Sequence, residues 1–361
     1  MRTSFMTEDR RVWPGRRGYR MPAEWAPHAA TWLSWPHNRD TWPGCFEPVE
    51  PAMVEAVRAL AETELVRINV LDRAHAEHVR RLLEDHVDLR QVSLHVVPTN
   101  DAWVRDHGAV FVVNESESEP LLAVTYQYNA WGGKYPPYDL DRAVPRQMAE
   151  ILGVPSFAPG IVLEGGSVDG NGEGALLTTE QCLLNPNRNP HLDRSTIERL
   201  LRDSLGVTEI VWLGEGIAGD DTDGHIDDLT RFVNASSVVT VVEPNRADPN
   251  HAPLAANRRH LDEVEVGGRR LDVVELPMPE PLFNAGQRLP ASYANFYIAN
   301  ELVLVPVFAS PQDDTACALL AECFPGRRIV PIDSRPLVAG LGALHCLTQQ
   351  VPSTRLAGGP R

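Results

Sequence analysis

The chain has 361 residues, of which 43% are hydrophobic, and its formal net charge is −16 at pH 7. This hydrophobic fraction is ample for a sizeable core and excludes a wholly disordered chain. The negative charge argues against a nucleic-acid-binding surface, which needs clustered Lys and Arg. The five cysteines form no C-x-x-C pair and no zinc-finger spacing, so neither a disulfide framework nor a structural zinc site is expected.

The N-terminal stretch does not have the pattern of a signal peptide. The first 20 residues are polar and arginine-rich and lack the apolar centre of a signal peptide. No stretch approaches the ~20 apolar residues of a membrane span. We therefore expect a soluble, cytoplasmic protein with a loosely ordered tail at 1–20, a single catalytic domain at 21–352 and a C-terminal tail at 353–361.

In chain order, the hydrophobic pattern alternates between strands and helices. The predicted strands lie near 29–35, 65–71, 91–97, 109–113, 161–163, 175–179, 208–213, 271–276, 302–307 and 328–332, with further apolar residues around 229–242. The predicted helices lie near 50–63, 73–84, 140–152, 193–204, 252–264 and 312–323.

From residue 73 onward the helix starts recur at intervals of roughly 60 residues, which indicates internal structural repetition. The helix near 50–63 does not fit this cycle. We infer five α/β units around an axis, each placing a polar cluster between two strands and toward a shared pocket. An ordinary doubly wound α/β sheet would give the same alternation. No G-x-G-x-x-G or Walker sequence follows a predicted strand, which disfavours a nucleotide-binding version of that sheet.

The stretch 219–228 contains five carboxylates and one histidine, His225. Such crowding is unfavourable unless a cation or a partner offsets the repulsion. The stretch could be a solvated acidic loop, a metal site, or a pocket for a cationic substrate with His225 as the proton carrier.

The other units supply polar residues at equivalent points of the repeat. Together with the acidic stretch, the set is Asp106, Glu164, His225 with Asp227, Asn295 and Cys346. These groups suit chemistry at a guanidinium ion, because two carboxylates can each accept a bidentate pair of N–H bonds. A thiolate could attack the carbon, a histidine could protonate departing ammonia and activate water, and Trp103 could stack on the cation.

A metal site is the alternative for the acidic stretch. Asp221-x-Asp223-Gly224 faintly resembles a calcium loop but lacks the required spacing and the closing glutamate. His225-x-Asp227 on a strand would place both side chains on one face, yet no second histidine motif completes a zinc site. We therefore predict no metal.

Seven motifs, in order, resemble one family. They are Asn100-Asp101-Ala102-Trp103-Val104-Arg105-Asp106; Asn129-Ala130-Trp131-Gly132-Gly133; Leu163-Glu164-Gly165-Gly166; Leu184-Asn185-Pro186-Asn187-Arg188-Asn189-Pro190; Asp221-Thr222-Asp223-Gly224-His225-Ile226-Asp227; Ala291-Ser292-Tyr293-Ala294-Asn295-Phe296-Tyr297; and His345-Cys346-Leu347-Thr348-Gln349-Gln350. The chain resembles, over about 21–350, the agmatine deiminases, a branch of the guanidino-group-modifying (pentein) superfamily that also contains the peptidylarginine deiminases.

The resemblance implies a five-bladed, pseudo-symmetric α/β propeller without metal or organic cofactor. It also implies roles for site residues. Cys346 looks like the nucleophile, His225 like the general acid and base, and Glu164 like the carboxylate that orients the histidine. Asp106 and Asp227 resemble the guanidinium clamps. Asp101, Trp103 and Asn295 are expected to help bind the substrate.

The function that this implies is hydrolysis of agmatine to N-carbamoylputrescine and ammonia, a step of polyamine metabolism, through a covalent amidino-thioether. A homodimer is expected by family resemblance, with no nucleic-acid or membrane partner. The alternatives are a deiminase or amidinotransferase for another guanidino compound (peptidyl-arginine, free arginine or a modified guanidine), or a non-catalytic binder of cationic amines. The family pattern is not matched in three segments, 35–42, 134–138 and 339–344. The sequence therefore does not identify the residues that contact the tail of the substrate.

Overall fold

The computed structural model describes residues 12–354, which form a mixed α/β structure. The helical segments are Val49–Leu60, Arg73–Leu83, Val104–His107, Ala130–Gly133, Val144–Leu152, Glu180–Leu183, Arg194–Leu205, His251–Leu261, Asp313–Cys323 and Arg335–Val338. No helix within the described range combines the length and the apolar character needed to cross a membrane.

Five sheets share one pattern, in which an antiparallel pair of strands is followed by a parallel strand that a helix connects. The strands, in their order within each sheet, are Thr348–Pro352, His28–Ser34, Leu65–Val70 and Val92–Val96 in the first; Val110–Val113, Leu121–Val124 and Ser156–Phe157 in the second; Asp169–Gly170, Ala175–Thr179 and Glu209–Leu213 in the third; Thr230–Phe232, Ser237–Val242 and Asp272–Pro277 in the fourth; and Tyr297–Ile298, Leu302–Val307 and Arg328–Asp333 in the fifth. Two short hairpins, Glu265–Val266 with Arg269–Arg270 and Phe283–Asn284 with Gln287–Arg288, complete the strands.

The first sheet explains why the helix near 50–63 stood outside the cycle. This sheet has a fourth strand, so it needs two parallel connections, and Val49–Leu60 is the additional one. Its antiparallel partner comes from the other end of the chain, where Thr348–Pro352 pairs with His28–Ser34. The two ends of the described chain are thereby joined in one sheet.

The connecting helices follow from local sequence signals, as Arg194–Leu205 illustrates. The side chain of Asp193 caps its N-terminus, as short acidic side chains do for unpaired backbone N–H groups. Ile197, Leu201 and Leu205 repeat at four-residue spacing and are buried. Gly206 ends the helix at φ +67°, and a β-carbon there would lie 2.0 Å from the carbonyl oxygen of Tyr19.

The prediction of a loosely ordered tail at 1–20 is wrong for residues 12–20, which the structure describes. Gly15–Arg17 forms a 3-10 turn, and Tyr19 is buried with its hydroxyl donating to the Glu119 carbonyl. Arg20 exchanges backbone hydrogen bonds of 3.0 and 2.9 Å with Val113. Residues 1–11 and 355–361, which held the rest of the two predicted tails, lie outside the described residues.

The site residues occupy one recurrent position in this pattern, just before the first strand of a sheet. Asp106 precedes Val110–Val113, Glu164 precedes Asp169–Gly170, and His225 with Asp227 precedes Thr230–Phe232. In the same way, Asn295 and Cys346 each come two residues before a strand, Tyr297–Ile298 and Thr348–Pro352 respectively. The equivalence that the sequence suggested therefore has a structural counterpart.

Candidate active site

The sulfur of Cys346 is buried among polar side chains. Asn295 Nδ2 donates to Cys346 Sγ at 3.1 Å and to Asp228 Oδ1 at 3.0 Å. Asp227 Oδ2 lies 3.8 Å from the same sulfur. Burial raises the pKa of the Cys346 thiol well above its usual value, and the negative charges of Asp227, Asp228 and Asp106 add to the effect. This raised pKa favours the protonated thiol over the thiolate.

Asp227 is fully buried and is held from one side only. Its Oδ2 accepts a hydrogen bond from His345 Nδ1 at 2.7 Å, whereas Oδ1 has no partner among the described residues. Burial acts to raise the pKa of Asp227, but the hydrogen bond and charge of His345 outweigh it and lower that pKa. The carboxylate thus stays ionised and presents one free oxygen.

Asp106 is the second carboxylate of the site. Its Oδ1 accepts from the backbone N–H of Gly166 at 3.0 Å and its Oδ2 accepts from Trp131 Nε1 at 2.9 Å. Burial and the negative charges of Asp227 and Glu164 raise the pKa of Asp106 to about 6, although His225 opposes the shift. Asp106 therefore changes charge close to neutral pH.

The segment that carries Trp131 has an uncommon backbone. Ala130 and Trp131 both adopt positive φ, at 52° and 53°, and Gly132 and Gly133 follow with φ of 91° and 81°. Positive φ is unfavourable for residues with a β-carbon and is frequently found at functional sites. Here it delivers the indole N–H to Asp106.

His225 is buried and faces both carboxylates. Its Nδ1 lies 3.6 Å from Asp106 Oδ1 and 3.9 Å from Asp227 Oδ1. Burial alone would lower the pKa of His225, but the charge of Asp106, the nearby Cys182 sulfur and Asp227 raise it well above its usual value. His225 is therefore an imidazolium near neutral pH, able to donate a proton. Because it lies within 4 Å of the same carboxylate as Cys346, the structure brings the predicted acid and the predicted nucleophile together.

Glu164 is fully buried and makes a contact that the sequence did not predict. Its Oε1 accepts from Arg188 Nε at 2.8 Å, while Oε2 has no partner within 12–354. One donor atom each of Glu164, Cys182 and His225 lie within 4.8 Å of one another. This spacing places Glu164 beside the imidazole, but its hydrogen bond goes to the arginine.

Within the part of the chain that the structure describes, the same three residues are the group whose spacing could hold a metal ion, and they fit one poorly. The guanidinium of Arg188 already supplies the positive charge beside Glu164. Burial raises the pKa of the Cys182 thiol, although a metal ligand must be deprotonated. The chemistry of this donor set favours an ion pair over a metal site.

Gly166 lies where the acids and the histidine converge. A β-carbon at this position would lie 2.7 Å from Asp106 Oδ1, 2.7 Å from His225 Nδ1 and 2.9 Å from Asp227 Oδ2. Such distances are shorter than van der Waals contact, so only glycine leaves this space open.

A cavity of about 930 Å³ reaches Cys346 and Asp106. Trp103, predicted to bind the substrate, lines it together with Trp131, and packs on Trp42 at 5.5 Å between ring centroids. Asp101, also predicted, lines the same cavity and accepts from the Thr41 hydroxyl at 2.6 Å. Of the residues predicted to bind the substrate, Asp101, Trp103 and Asp106 thus line the cavity, whereas Asn295 and Asp227 contact the sulfur of Cys346.

Comparison with known proteins assigns the family. Residues 20–352 match the model of the Porphyromonas-type peptidyl-arginine deiminases. The chain belongs to this family. An agmatine deiminase from Ectopseudomonas mendocina is 38% identical over 94% of this chain and 97% of its own, and one from Pseudomonas syringae pv. tomato is also 38% identical, with the same coverage.

Solved structures agree. The agmatine deiminase of Enterococcus faecalis matches with a TM-score of 0.88 at 31% identity, covering 96% of this chain and 99% of its own. A cysteine-to-serine variant of the C. jejuni agmatine deiminase with substrate bound matches with a TM-score of 0.85 at 32% identity, covering 93% and 97%. The predicted resemblance to agmatine deiminases and the predicted enzyme class, a hydrolase of C–N bonds, are confirmed.

Sequence reasoning missed several residues of this deiminase site. Glu24, His345 and Arg231 form a buried ionic network behind Asp227, and Trp131 binds Asp106. Trp131 and His345 stand inside the recognised motifs, so their positions were visible but their partners were not. Glu24 follows Met21-Pro22-Ala23, far from every other site residue, and nothing local marks it.

Proposed function

We propose that this member of the peptidyl-arginine deiminase family hydrolyses agmatine to N-carbamoylputrescine and ammonia. The observation that carries the proposal is the meeting of one buried thiol, one imidazolium and two carboxylates, with Cys346 and His225 each within 4 Å of Asp227. Cys346 and Asp106 of this group also line the cavity. The names of the relatives support the choice of substrate.

The charge of the cavity wall favours a substrate that is positive at both ends. Its acidic residues are Asp40, Asp101, Asp106, Asp141 and Asp221. The basic counterpart is Arg39, which is exposed and already bonded to Glu47 at 2.8 Å. A guanidinium with a distal ammonium finds complementary charge at this wall, whereas a substrate carboxylate does not.

Free arginine as a substrate would need a cation for its carboxylate, and Arg105, Arg188 and Arg288, which could supply one, have other partners. Arg105 contacts Glu24 and Gln350, Arg188 contacts Glu164 and Asp223, and Arg288 contacts Asp248 at 2.9 Å. None of the three lines the cavity within the described residues. This arrangement favours agmatine over arginine.

The same charges prepare the thiol for attack. Without a bound cation the acids favour the protonated thiol of Cys346, as its raised pKa indicates. A bound guanidinium between Asp106 and Asp227 offsets their charge, which lowers the cost of the thiolate. The thiol then gives its proton to solvent as the substrate cation enters, so the nucleophile forms only when its target is in place.

The reaction follows in two halves. The thiolate attacks the guanidinium carbon and a C–S bond forms. His225 gives its proton to one NH₂ group, the C–N bond breaks and ammonia leaves. Neutral His225 then takes a proton from water, the oxygen attacks the same carbon and the C–S bond breaks, which leaves the thiolate, the imidazolium and a ureido product protonated on oxygen. That product passes its extra proton to the released ammonia, so one guanidinium and one water become one ureido group and one ammonium ion. Asp106 and Asp227 hold the cation throughout.

The five sheets are proposed to surround one axis as a five-bladed α/β propeller, with the site at its centre. Support comes from the shared strand pattern, the pairing of Thr348–Pro352 with His28–Ser34, and the position of each site residue before the first strand of a sheet. A cytoplasmic location, a homodimer and the lack of nucleic-acid partners remain predictions of the same proposal.

Ammonia release from a panel of guanidino compounds tests the function. Agmatine should be turned over faster than free arginine, a peptidyl-arginine or a guanidine with a neutral tail, and Cys346→Ala should abolish turnover. Adding an amine acceptor tests for amidino transfer. Preference for another compound would replace the substrate, and binding of agmatine without any ammonia would make the protein a cation binder.

A further inference from the structure

His345 lies directly before the nucleophile and contacts two carboxylates at once. Its Nδ1 is 2.7 Å from Asp227 Oδ2 and its Nε2 is 2.8 Å from Glu24 Oε2. An ionised carboxylate has no hydrogen to donate, so it acts only as a hydrogen-bond acceptor. Both ring nitrogens therefore act as donors, and the ring carries both protons.

Glu24 is fixed independently of His345. Its Oε2 also accepts from Arg231 Nη2 at 3.0 Å, and its Oε1 accepts from the backbone N–H of Ile298 at 2.7 Å. Arg231 is in turn bonded to Asp169 at 3.0 Å. The far end of the imidazole is thus anchored to a buried network that spans several sheets, and it has little freedom to turn.

The hydrogen bond from Nδ1 of His345 fixes the orientation of the Asp227 carboxylate. Because Oδ2 is taken by His345, Oδ1 is the oxygen left free, and it is the one 3.9 Å from His225 Nδ1. Backbone contacts strengthen this placement, since the His345 N–H donates to Asn295 Oδ1 at 2.9 Å. The amide of Asn295 also contacts the sulfur of Cys346.

We propose that His345 is a positioning residue, which holds Asp227 ionised and turned so that its free oxygen meets the guanidinium of the substrate. His345 does not contact reacting atoms; it acts through Asp227. This inference rests on the proposed hydrolysis of a guanidino substrate and adds a second histidine to the site, with a role separate from the proton transfer by His225.

Two substitutions that replace the imidazole of His345 with a neutral amide distinguish this positioning role from a merely structural one. In His345→Asn the side-chain nitrogen lies near the position of Nδ1 and can still donate to Asp227. In His345→Gln it reaches toward the position of Nε2 and Glu24, and the donor to Asp227 is lost. Both variants remove the positive charge and one buried contact, so a general packing defect would affect them alike.

The experiment measures kcat and KM for agmatine against pH, and agmatine binding by calorimetry in a Cys346→Ser background. His345→Gln should raise KM and the dissociation constant about tenfold or more, the loss expected for a charge-assisted hydrogen bond. The acidic limb of the pH profile of this variant should also become steeper, changing from a one-proton to a two-proton dependence, because Asp227 then titrates as well. His345→Asn keeps a donor to Asp227 but not the positive charge, so its KM and dissociation constant should rise less than those of His345→Gln.

Equal effects of the two variants, or wild-type binding in His345→Gln, would overturn the inference. If His345→Gln does not fold, His345→Asn decides alone, since an acidic limb identical to wild type in that variant, which lacks the positive charge beside Asp227, contradicts the role. Wild-type protein that releases no ammonia from any compound of the panel would instead contradict the proposed function, so the two failures can be told apart.

Discussion

Gly166 approaches His225 so closely that a β-carbon on the glycine would lie 2.7 Å from Nδ1 of the imidazole. The same carbon would lie equally close to Asp106 Oδ1, so the space between the acid and the histidine depends on the absence of a side chain. In the proposed mechanism this is the space that the guanidinium enters.

Replacing Gly166 with alanine is therefore expected to reduce kcat/KM for agmatine by about a hundredfold, since displacements of reacting groups by about 1 Å have effects of this order. Gly326→Ala is the matched control, because a β-carbon there meets nothing within 4 Å. The account would be contradicted if both alanine variants kept wild-type kinetics.

The pH dependence of kcat/KM should report Asp106. Its pKa is about 6 in the folded protein, so the carboxyl group is neutral below that pH and cannot pair with a guanidinium. Activity should be present above about pH 6 and fall as the pH drops through it. Asp106→Asn should raise KM strongly and remove this acidic limb. Asp193→Asn, a change at a helix cap on the surface, should leave the limb in place.

Labelling of the thiol should depend on the charge of the reagent. Because the acids raise the pKa of Cys346, a cationic haloacetamidine should react much faster than neutral iodoacetamide. In Asp106→Asn the preference for the cation should shrink. Peptide mapping of the labelled protein measures both, and equal rates for the two reagents in wild type would argue against activation by the substrate's charge.

The buried network behind the site should matter for stability. Arg231 is fully buried between Glu24 and Asp169, and removing one partner of a buried ion pair costs about 3–5 kcal/mol. Arg231→Met should lower the free energy of unfolding by that amount in urea titrations. Arg146→Met removes an exposed pair with Glu150 and should change it by less than about 1 kcal/mol. Similar losses in the two variants would refute this ranking.

Sequence reasoning located Asp106, His225, Asp227 and Cys346 because the repeat places each at the same point and the motifs mark them. It found the long helices, where cap residues such as Asp193 and four-residue apolar spacing act locally. It missed Leu121–Val124, a strand too short to show alternation. It also missed the polar strand Thr348–Pro352, whose partner His28–Ser34 lies at the other end of the chain.

The same limit explains which contacts around the site were not predicted. Glu24 and His345 are 321 positions apart and meet only through the tertiary fold. Glu164 was expected to orient the histidine, but the local pattern gave no sign that Arg188 would take one of its oxygens. Residue types in a repeat predict which groups converge; which hydrogen bonds they then form depends on partners from other sheets.

Mass spectrometry of the protein, acid-quenched during turnover of agmatine, tests the central claim most directly. The account predicts an adduct on the peptide that contains Cys346, with the mass of agmatine less one ammonia, and no such adduct in Cys346→Ala. Steady turnover with an unmodified Cys346, or an adduct on another residue, would contradict it.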